Sequence, residues 1–169
     1  MRRTYKNKLE YSKQQHEKIK WWYEENFYKY EIVESELIQR YTDIDLIVVD
    51  NDKKGWFIEE KLVPKYHDKI AIEVIQNGFS GNLGWIHCCK ADIMVFHYCP
   101  PDLSHTRSYW FSFPALKDFY RRRKNDLPHR TYTTGECSLT HPTLCLYPWK
   151  KLSQEIEISY YEIEYKEER

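Results

Sequence analysis

The chain has 169 residues, of which 41% are hydrophobic, 31% are charged and 17% are aromatic. This length is typical of one domain with a short extension, and the aromatic content excludes a disordered chain. The 26 basic and 26 acidic residues balance, so net charge alone does not indicate a polyanionic partner.

The sequence predicts an intracellular, cytoplasmic protein with no membrane partner. No apolar run approaches the roughly 18 residues of a membrane span. The N-terminal residues are polar, unlike the apolar core of a secretory signal. The 5 cysteines are an odd number, which argues against a complete disulfide framework and favours a reducing compartment.

The first half of the chain predicts a helix followed by three strands. Apolar residues recur at spacings of three, four and seven, which predicts a helix over 10–28. Alternating and β-branched residues predict strands at 29–39, 43–50 and 56–63. Asn, Asp and Gly cluster at 51–55, so the last two strands are predicted to form a hairpin.

The second half mixes further strands with short helices. Strands are predicted at 69–76, 91–98, 109–113 and 144–148, a helical turn at 85–90, and a helix over 114–125. A Gly-rich loop, 78–84, is predicted at the rim of the site. The tail, 156–165, alternates apolar with charged residues and predicts a strand or an ordered arm. We therefore predict a domain over 1–150 and a C-terminal strand or arm over 151–169.

The predicted hairpin carries the candidate chemistry. Side chains alternate across a strand, so Glu59 and Lys61 share one face and Glu60 points to the other. Asp45 begins the preceding strand and lies beside them across the hairpin. Mg²⁺ is typically held by one or two carboxylates plus substrate phosphate oxygens, and a nearby lysine stabilises developing charge on a phosphate. The alternative is an exposed hairpin end with an ordinary surface ion pair.

The segment TDIDLIVVDNDKKGWFIEEK (42–61) resembles the PD-(D/E)xK nuclease superfamily, which carries Asp on its second core strand and (D/E)-x-K on its third. Residues 84–98 and 109–123 resemble the second half of its phage-type members. The resemblance implies an α/β, restriction-endonuclease-like core whose central mixed sheet is flanked by helices. It also implies a Mg²⁺-dependent deoxyribonuclease, with Mn²⁺ able to substitute, whose catalytic residues are Asp45, Glu59 and Lys61.

The match to the family pattern departs in one place and leaves further ligands open. The proline of the family name is absent because Ile44 precedes Asp45, and Asp43 is a second candidate in the same register. Asp45 and Glu59 are the implied metal ligands. By resemblance, an acidic residue on the first helix and one on the strand after the lysine add to them: these are Glu17, with Glu24 as its alternative, and Glu73. A solvated helix face and a structural ion pair are the other interpretations, and Gln76 is a weaker candidate at the same site.

The predicted partners are DNA and a second copy of the chain. Basic residues of the first helix and of the 114–125 helix are candidate contacts to the DNA backbone, with a solvated surface as the alternative: they are Lys13, Lys20, Arg121, Arg122, Arg123 and Lys124. Duplex cleavage by such domains usually needs two sites, so the resemblance implies a homodimer, with the tail strand as a possible exchanged element. RNA as the substrate remains open.

Another function competes with the nuclease. A catalytically inactive nuclease-fold module that binds protein or nucleic acid, such as a phage-encoded inhibitor or accessory factor, fits the neutral charge and the aromatic content. Separately, candidate ligands for structural zinc are Cys137, His141 and Cys145, to which Cys88, Cys89, His97 and Cys99 could add. The spacing of the first three residues does not match a zinc finger or knuckle, because the paired C-x-x-C is missing.

Overall fold

The structure is a computed structural model that describes residues 2–33, 42–100, 105–132 and 141–165, with the backbone alone for 2–13. Within these residues the protein is a mixed α/β fold whose central mixed sheet is flanked by helices. The elements in chain order are α1 (Arg2–Asn26), β1 (Lys29–Ile32), β2 (Leu46–Val49), β3 (Gly55–Val63), β4 (Lys69–Asn77), β5 (Asn82–Leu83), α2 (Trp85–Cys88), β6 (Ile93–Tyr98), β7 (His105–Ser112), α3 (Phe113–Arg123), β8 (His129–Thr131), β9 (Thr143–Pro148), α4 (Trp149–Leu152) and β10 (Ile158–Glu164).

The central sheet has six described strands in the order β1-β2-β3-β6-β7-β10. Only β3 and β6 are parallel among these neighbours, and the other pairs are antiparallel. The second sheet has the order β5-β4-β9-β8 and is antiparallel throughout. The tail strand β10 pairs with β7 of its own chain and closes one edge of the central sheet.

The hairpin of β2 and β3 is held at its turn by one aspartate. Asp50 Oδ1 accepts hydrogen bonds from the backbone N–H groups of Asp52 and Lys54, at 3.0 and 2.9 Å. Its Oδ2 accepts a third bond from Trp56 Nε1 at 2.9 Å. An aspartate that bonds to the backbone two residues on is the Asx turn that Asn/Asp clusters favour. The turn fixes the strand register, with Leu46 opposite Ile58.

Two hydrophobic cores lie on opposite faces of the central sheet. One lies between α1 and the sheet, where Ile19 and Tyr23 pack against Leu46, Val48 and Ile58. The other fills the space between the opposite face, the second sheet and α3, and its fully buried members include Ile70, Ile72, Met94, Phe113, Leu116, Phe119 and Leu152. The inner strands of the central sheet therefore present one face to α1 and the other to the second sheet and α3.

Most predicted elements are confirmed, with differences at their ends. The helix predicted at 10–28 begins at residue 2, and the strand predicted at 109–113 begins at 105. The strand predicted at 29–39 spans 29–32, and 34–39 lies outside the described residues. The region 125–143, predicted as loop, contains the three-residue β8, which is exposed throughout and too short to show an alternating pattern. In the described chain, every helix is too short or too polar to cross a lipid bilayer.

Candidate functional site

A cavity of about 740 Å³ lies between the two sheets and contains the predicted catalytic residues. Asp45, Glu59 and Lys61 line it from the central sheet, and Glu73 and Gln76 line it from β4 of the second sheet. The alternation of β3 explains why it carries two of them, since residues two apart project from the same face. Five polar side chains that are up to 31 residues apart in the sequence thus surround one cavity.

The strand register brings Asp45 next to Glu59 and Lys61. The Asp45 backbone N–H donates to the carbonyl of Ile58 at 2.9 Å, which extends the β2–β3 ladder by one residue. The Asp45 side chain in turn accepts a bond from the Glu60 backbone N–H, at 2.9 Å from Oδ2. Lys61 Nζ forms an ion pair with Glu59. The hairpin therefore fixes the backbone of both strands at the point where the three side chains meet.

The two carboxyl groups of this cluster bind their protons more tightly than usual. Burial raises the pKa of Asp45, although Lys61 opposes that rise. Burial also raises the pKa of Glu59 well above its usual value, and the neighbouring Asp45 adds to it. Carboxylates of like charge that lie this close each make it harder for the other to ionise. The cavity thus contains more carboxyl groups than its one lysine can neutralise.

Lys61 stays protonated in this environment. Burial alone would lower the pKa of its ammonium group, but the charges of Glu59 and Asp45 outweigh burial and raise it. A lysine with a raised pKa cannot accept a proton near neutral pH. Its ammonium group is therefore available as a fixed positive charge and hydrogen-bond donor, and does not serve as a general base.

Asp43, the second candidate in the register, also lines the cavity. Its backbone has a φ of 48°, in the left-handed region that Asp tolerates better than most residues. Cys88 Sγ donates to Asp43 Oδ2 at 3.3 Å, and Cys89 Sγ donates to the Asp43 carbonyl at 3.4 Å. Both contacts attach α2 to the chain that enters β2. The role of Cys88 at this site was not predicted, because no local pattern places α2 against residue 43.

Glu73 reaches the cavity from the second sheet. Burial raises the pKa of its carboxyl group, while Lys61 and a hydrogen bond from the Trp85 backbone N–H oppose the rise. Gly84 makes this geometry possible, since a Cβ on it would lie 2.2 Å from the Glu73 carbonyl oxygen. Glu73 thus lines the same cavity as Lys61, and only glycine allows the chain before α2 to pass so close to β4.

The other predicted site residues lie elsewhere. Glu17 is exposed on α1, with its carboxylate 4.0 Å from Lys20 Nζ, and it does not line the cavity.

The basic residues predicted to contact DNA lie on exposed helix surfaces. At the C-terminal end of α3, Arg121 and Arg122 pair with Asp118. The two remaining members of the basic cluster differ in their contacts: Arg123 pairs with Glu155 at 2.7 Å, and Lys124 is exposed at the end of α3. The side chain of Lys13 lies outside the described residues. None of the described basic residues predicted to contact DNA lines the cavity.

Glu60 joins a buried polar network on the opposite face of β3. Its Oε2 lies 3.0 Å from His16 Nδ1, and its Oε1 accepts a hydrogen bond of 2.6 Å from the Tyr23 hydroxyl. His97 Nε2 lies 3.1 Å from the same Oε1, and His97 Nδ1 lies 2.6 Å from Ser108 Oγ. The network links α1, β3, β6 and β7. The alternation of β3 predicted that Glu60 lies on this face, but it did not indicate which residues pair with it.

The donor set at the cavity fits a hard divalent cation. Asp45 and Glu59 are oxygen donors, and a cation would displace the protons that their raised pKa values retain. Across the residues whose side chains are described, no three His, Cys, Asp or Glu side chains are grouped to hold a metal ion. Two carboxylates agree with Mg²⁺, which takes its remaining ligands from water and phosphate. For zinc, Cys137 lies outside the described residues, and Cys145 is buried in the core between the two sheets.

Asp45→Asn is expected to stabilise the metal-free protein at neutral pH. The folded carboxyl groups have raised pKa values, so the folded state loses stability as pH rises from their usual pKa through the raised ones. Replacing Asp45 by Asn removes one of the two carboxyl groups that ionise, and therefore removes part of this loss of stability. About 1 kcal/mol corresponds to roughly 2–4 °C for a chain of this size, and we expect an increase in Tm of that order. Thermal unfolding in EDTA from pH 4 to pH 8 measures it, with the exposed Glu31→Gln as the matched control. If Asp45→Asn had a lower Tm than the wild type at neutral pH, the cavity could not carry the excess of carboxylate charge that we infer.

The arrangement pairs two protonatable carboxyl groups with one fixed ammonium inside an open cavity between two sheets. Such a set can hold a cation, and it can place positive charge beside an anionic substrate group. No family model, curated protein or solved structure matches the chain. The interpretation of the cavity therefore rests on its geometry and on the chemistry of the residues that line it.

Proposed function

We propose that the protein is a Mg²⁺-dependent deoxyribonuclease that hydrolyses phosphodiester bonds. The observation that carries this proposal is the convergence of Asp45, Glu59 and Lys61 in one cavity. Surface ion pairs do not require buried carboxylates, yet Glu59 is only 3% exposed. Burying a carboxylate is costly unless it is paired, and Lys61 is one ammonium group beside two buried carboxyl groups. This excess of carboxyl groups favours a cation site over an ordinary hairpin end.

Each residue has a separate role in the proposed reaction. Asp45 and Glu59 would hold the metal, and Glu73 lies close enough to Lys61 for the ammonium charge to oppose the rise in the pKa of Glu73. When bound, Mg²⁺ polarises the phosphoryl group and lowers the pKa of a bound water. Lys61 remains an ammonium group, so it orients the attacking water or stabilises the charge that develops on the phosphate. The resemblance of 42–61 implies products with 5′-phosphate and 3′-hydroxyl ends.

The topology supports a restriction-endonuclease-like core as part of the same proposal. A long helix precedes the meander β1-β2-β3, and β6 then pairs parallel to β3. The connection between β3 and β6 carries β4, β5 and the four-residue α2 instead of one long helix. In this proposal the second sheet is an insertion that forms the far wall of the cavity, and its Glu73 is the acidic residue expected after the lysine strand.

DNA is the proposed substrate, and a homodimer is the proposed assembly. The exposed Arg121 and Arg122 at the end of α3 and Lys20 on α1 are the proposed backbone contacts, with Arg123 and Lys124 beside them. Phosphate contacts position a duplex and carry no sequence information directly. Since these residues lie outside the cavity, they would hold DNA at some distance from the bond that is cleaved.

Metal-dependent nicking tests the proposal. The purified protein is expected to nick supercoiled plasmid in Mg²⁺ or Mn²⁺ and to stop when EDTA is added. Isothermal titration with Mn²⁺ is expected to show binding that the Glu59→Gln variant loses and that the exposed Glu31→Gln variant retains. Calorimetry reports on the bulk protein, so a trace of contaminating nuclease cannot imitate this result. A wild-type protein that neither binds Mn²⁺ nor nicks DNA would refute the proposed function.

A further inference from the structure

We propose that the tip of the β4–β5 hairpin, residues 77–81, is a base-stacking subsite centred on Phe79. In this inference the subsite selects DNA that has an unpaired nucleotide beside the cleaved bond. The inference rests on the proposed nuclease function and names the substrate class of that same cavity.

The hairpin tip continues one wall of the catalytic cavity. Gln76 at the end of β4 and Leu83 in β5 both line the cavity. The tip joins these two strands, so it lies at the rim of the same cavity. Leu83 is 58% exposed, which leaves an apolar surface between the cavity and the tip. A nucleic acid whose phosphate reaches Lys61 would therefore pass this rim.

Phe79 presents a ring that the protein covers only in part. The side chain is 70% exposed, the highest value among the exposed large hydrophobic residues described. Its ring centroid lies 4.3 Å from that of His141, with the planes inclined at 36°. A ring supported by one aromatic neighbour and otherwise open to solvent offers a surface on which a base can stack.

The tip is held in place before any ligand arrives. Asn77 Oδ1 accepts hydrogen bonds from the backbone N–H groups of Phe79 and Ser80, at 3.0 and 3.3 Å. Gly78 lies against His141, where a Cβ would come within 2.8 Å of the His141 carbonyl oxygen. Gly81 has a φ of 68°, which glycine adopts without strain. A rigid aromatic residue loses little conformational entropy when it binds, which favours a binding role for its exposure.

The occupant that fits this rim is an unpaired nucleobase. Bases inside a duplex already stack on both faces, so only an unpaired or splayed base has a free face for Phe79. The neighbouring cavity contains Lys61 for the phosphate and carboxylates for a cation, and a nucleotide has both the phosphate and the aromatic base. A protein partner would have no need of this adjacent phosphate chemistry.

Binding measurements on three DNAs test the inference. A blunt duplex, the same duplex with a single-stranded flap, and a single strand are titrated, each unpaired segment carrying 2-aminopurine. The protein carries Lys61→Ala so that the DNA stays intact. Adding Phe79→Ala is expected to weaken binding to the flap and the single strand about tenfold, in the range for loss of one stacked base. Binding to the blunt duplex should stay the same, and Phe79→Trp should restore both the affinity and the quenching of 2-aminopurine.

The matched control is Tyr28→Ala. Tyr28 is 63% exposed, and Lys53 Nζ lies over its ring, so it stands by the β2–β3 turn, at the other end of the hairpin from Asp45. This variant is expected to bind all three DNAs like its parent. Equal losses for duplex and flap on Phe79→Ala, or no loss at all, would overturn the stacking subsite while leaving metal-dependent cleavage intact. A wild-type protein that binds and cleaves no DNA would overturn both proposals together.

Discussion

Lys61→Ala is expected to reduce the rate of plasmid nicking by about a hundredfold to a thousandfold, the usual loss when a positioned donor is removed from a developing anion. The ammonium group of Lys61 is the only cationic side chain among the described residues that line the cavity. Its charged neighbours are the carboxylates of Glu59, Asp45 and Asp43, which cannot replace its positive charge. Initial rates of nicking at saturating Mg²⁺ measure the effect.

Metal affinity separates this role from a merely structural one. Lys61 repels a cation from Glu59 and Asp45, so Mn²⁺ should bind to Lys61→Ala at least as tightly as to the wild type, although nicking is lost. Lys61→Met, which keeps most of the side-chain volume, should behave in the same way and guards against a packing defect. The exposed Lys65→Ala is the matched control and should retain full activity. Wild-type nicking rates in both Lys61 variants would exclude Lys61 from the chemistry.

Glu60→Ala is expected to destabilise the fold by about 3–5 kcal/mol, the usual cost of breaking a buried ionic network by removing one partner. Glu60 is the common partner of His16, Tyr23 and His97, all of which are buried. Without its carboxylate, two imidazole rings and a hydroxyl group would remain in the core with fewer partners. Chemical denaturation with urea at pH 7 measures the free energy of unfolding.

The pH dependence gives this network a distinct signature. Burial would raise the pKa of Glu60, but hydrogen bonds to His16 and His97 outweigh burial and lower it. The contribution of Glu60 is thus present above the usual carboxyl pKa and is lost as pH falls below it. Burial would lower the pKa of His16, but the bond to Glu60 raises it, so that contribution is lost as pH rises through the raised value. Glu60→Gln should lose less stability than Glu60→Ala, and the exposed Glu31→Ala should lose little. Equal stability of Glu60→Ala and the wild type would show that the network does not hold the fold.

The local part of the candidate site could be predicted from the sequence, because it depends on one hairpin. Strand alternation alone places Glu59 and Lys61 on one face, and the turn after Asp50 fixes which residues of the preceding strand lie beside them. Asp45 follows from that register. The same alternation correctly placed Glu60 on the opposite face.

The remainder depends on contacts between elements that are distant in sequence. Glu17 fails as a cavity residue because α1 packs on the face of β3 that carries Glu60, whereas the cavity opens on the other face. Glu73 reaches the cavity only because a second sheet folds over the first, which no periodicity reveals. His16 did carry a signal, since a histidine in an apolar helix stripe needs a buried partner, but its partner lies 44 residues away.

The opposite orientations of Glu59 and Glu60 have a consequence for folding accuracy. If β3 slipped by one residue against β2, Glu60 would enter the cavity and Glu59 would be forced beneath α1. Lys61 would then lie where Glu60 should be, and His16 would lose its counter-ion. This shift in register would bury unpaired charges on both faces of the sheet at once, which is energetically unfavourable. A strand with only apolar side chains would oppose the same shift only weakly. The shifted register is therefore expected to be much less stable than the native one.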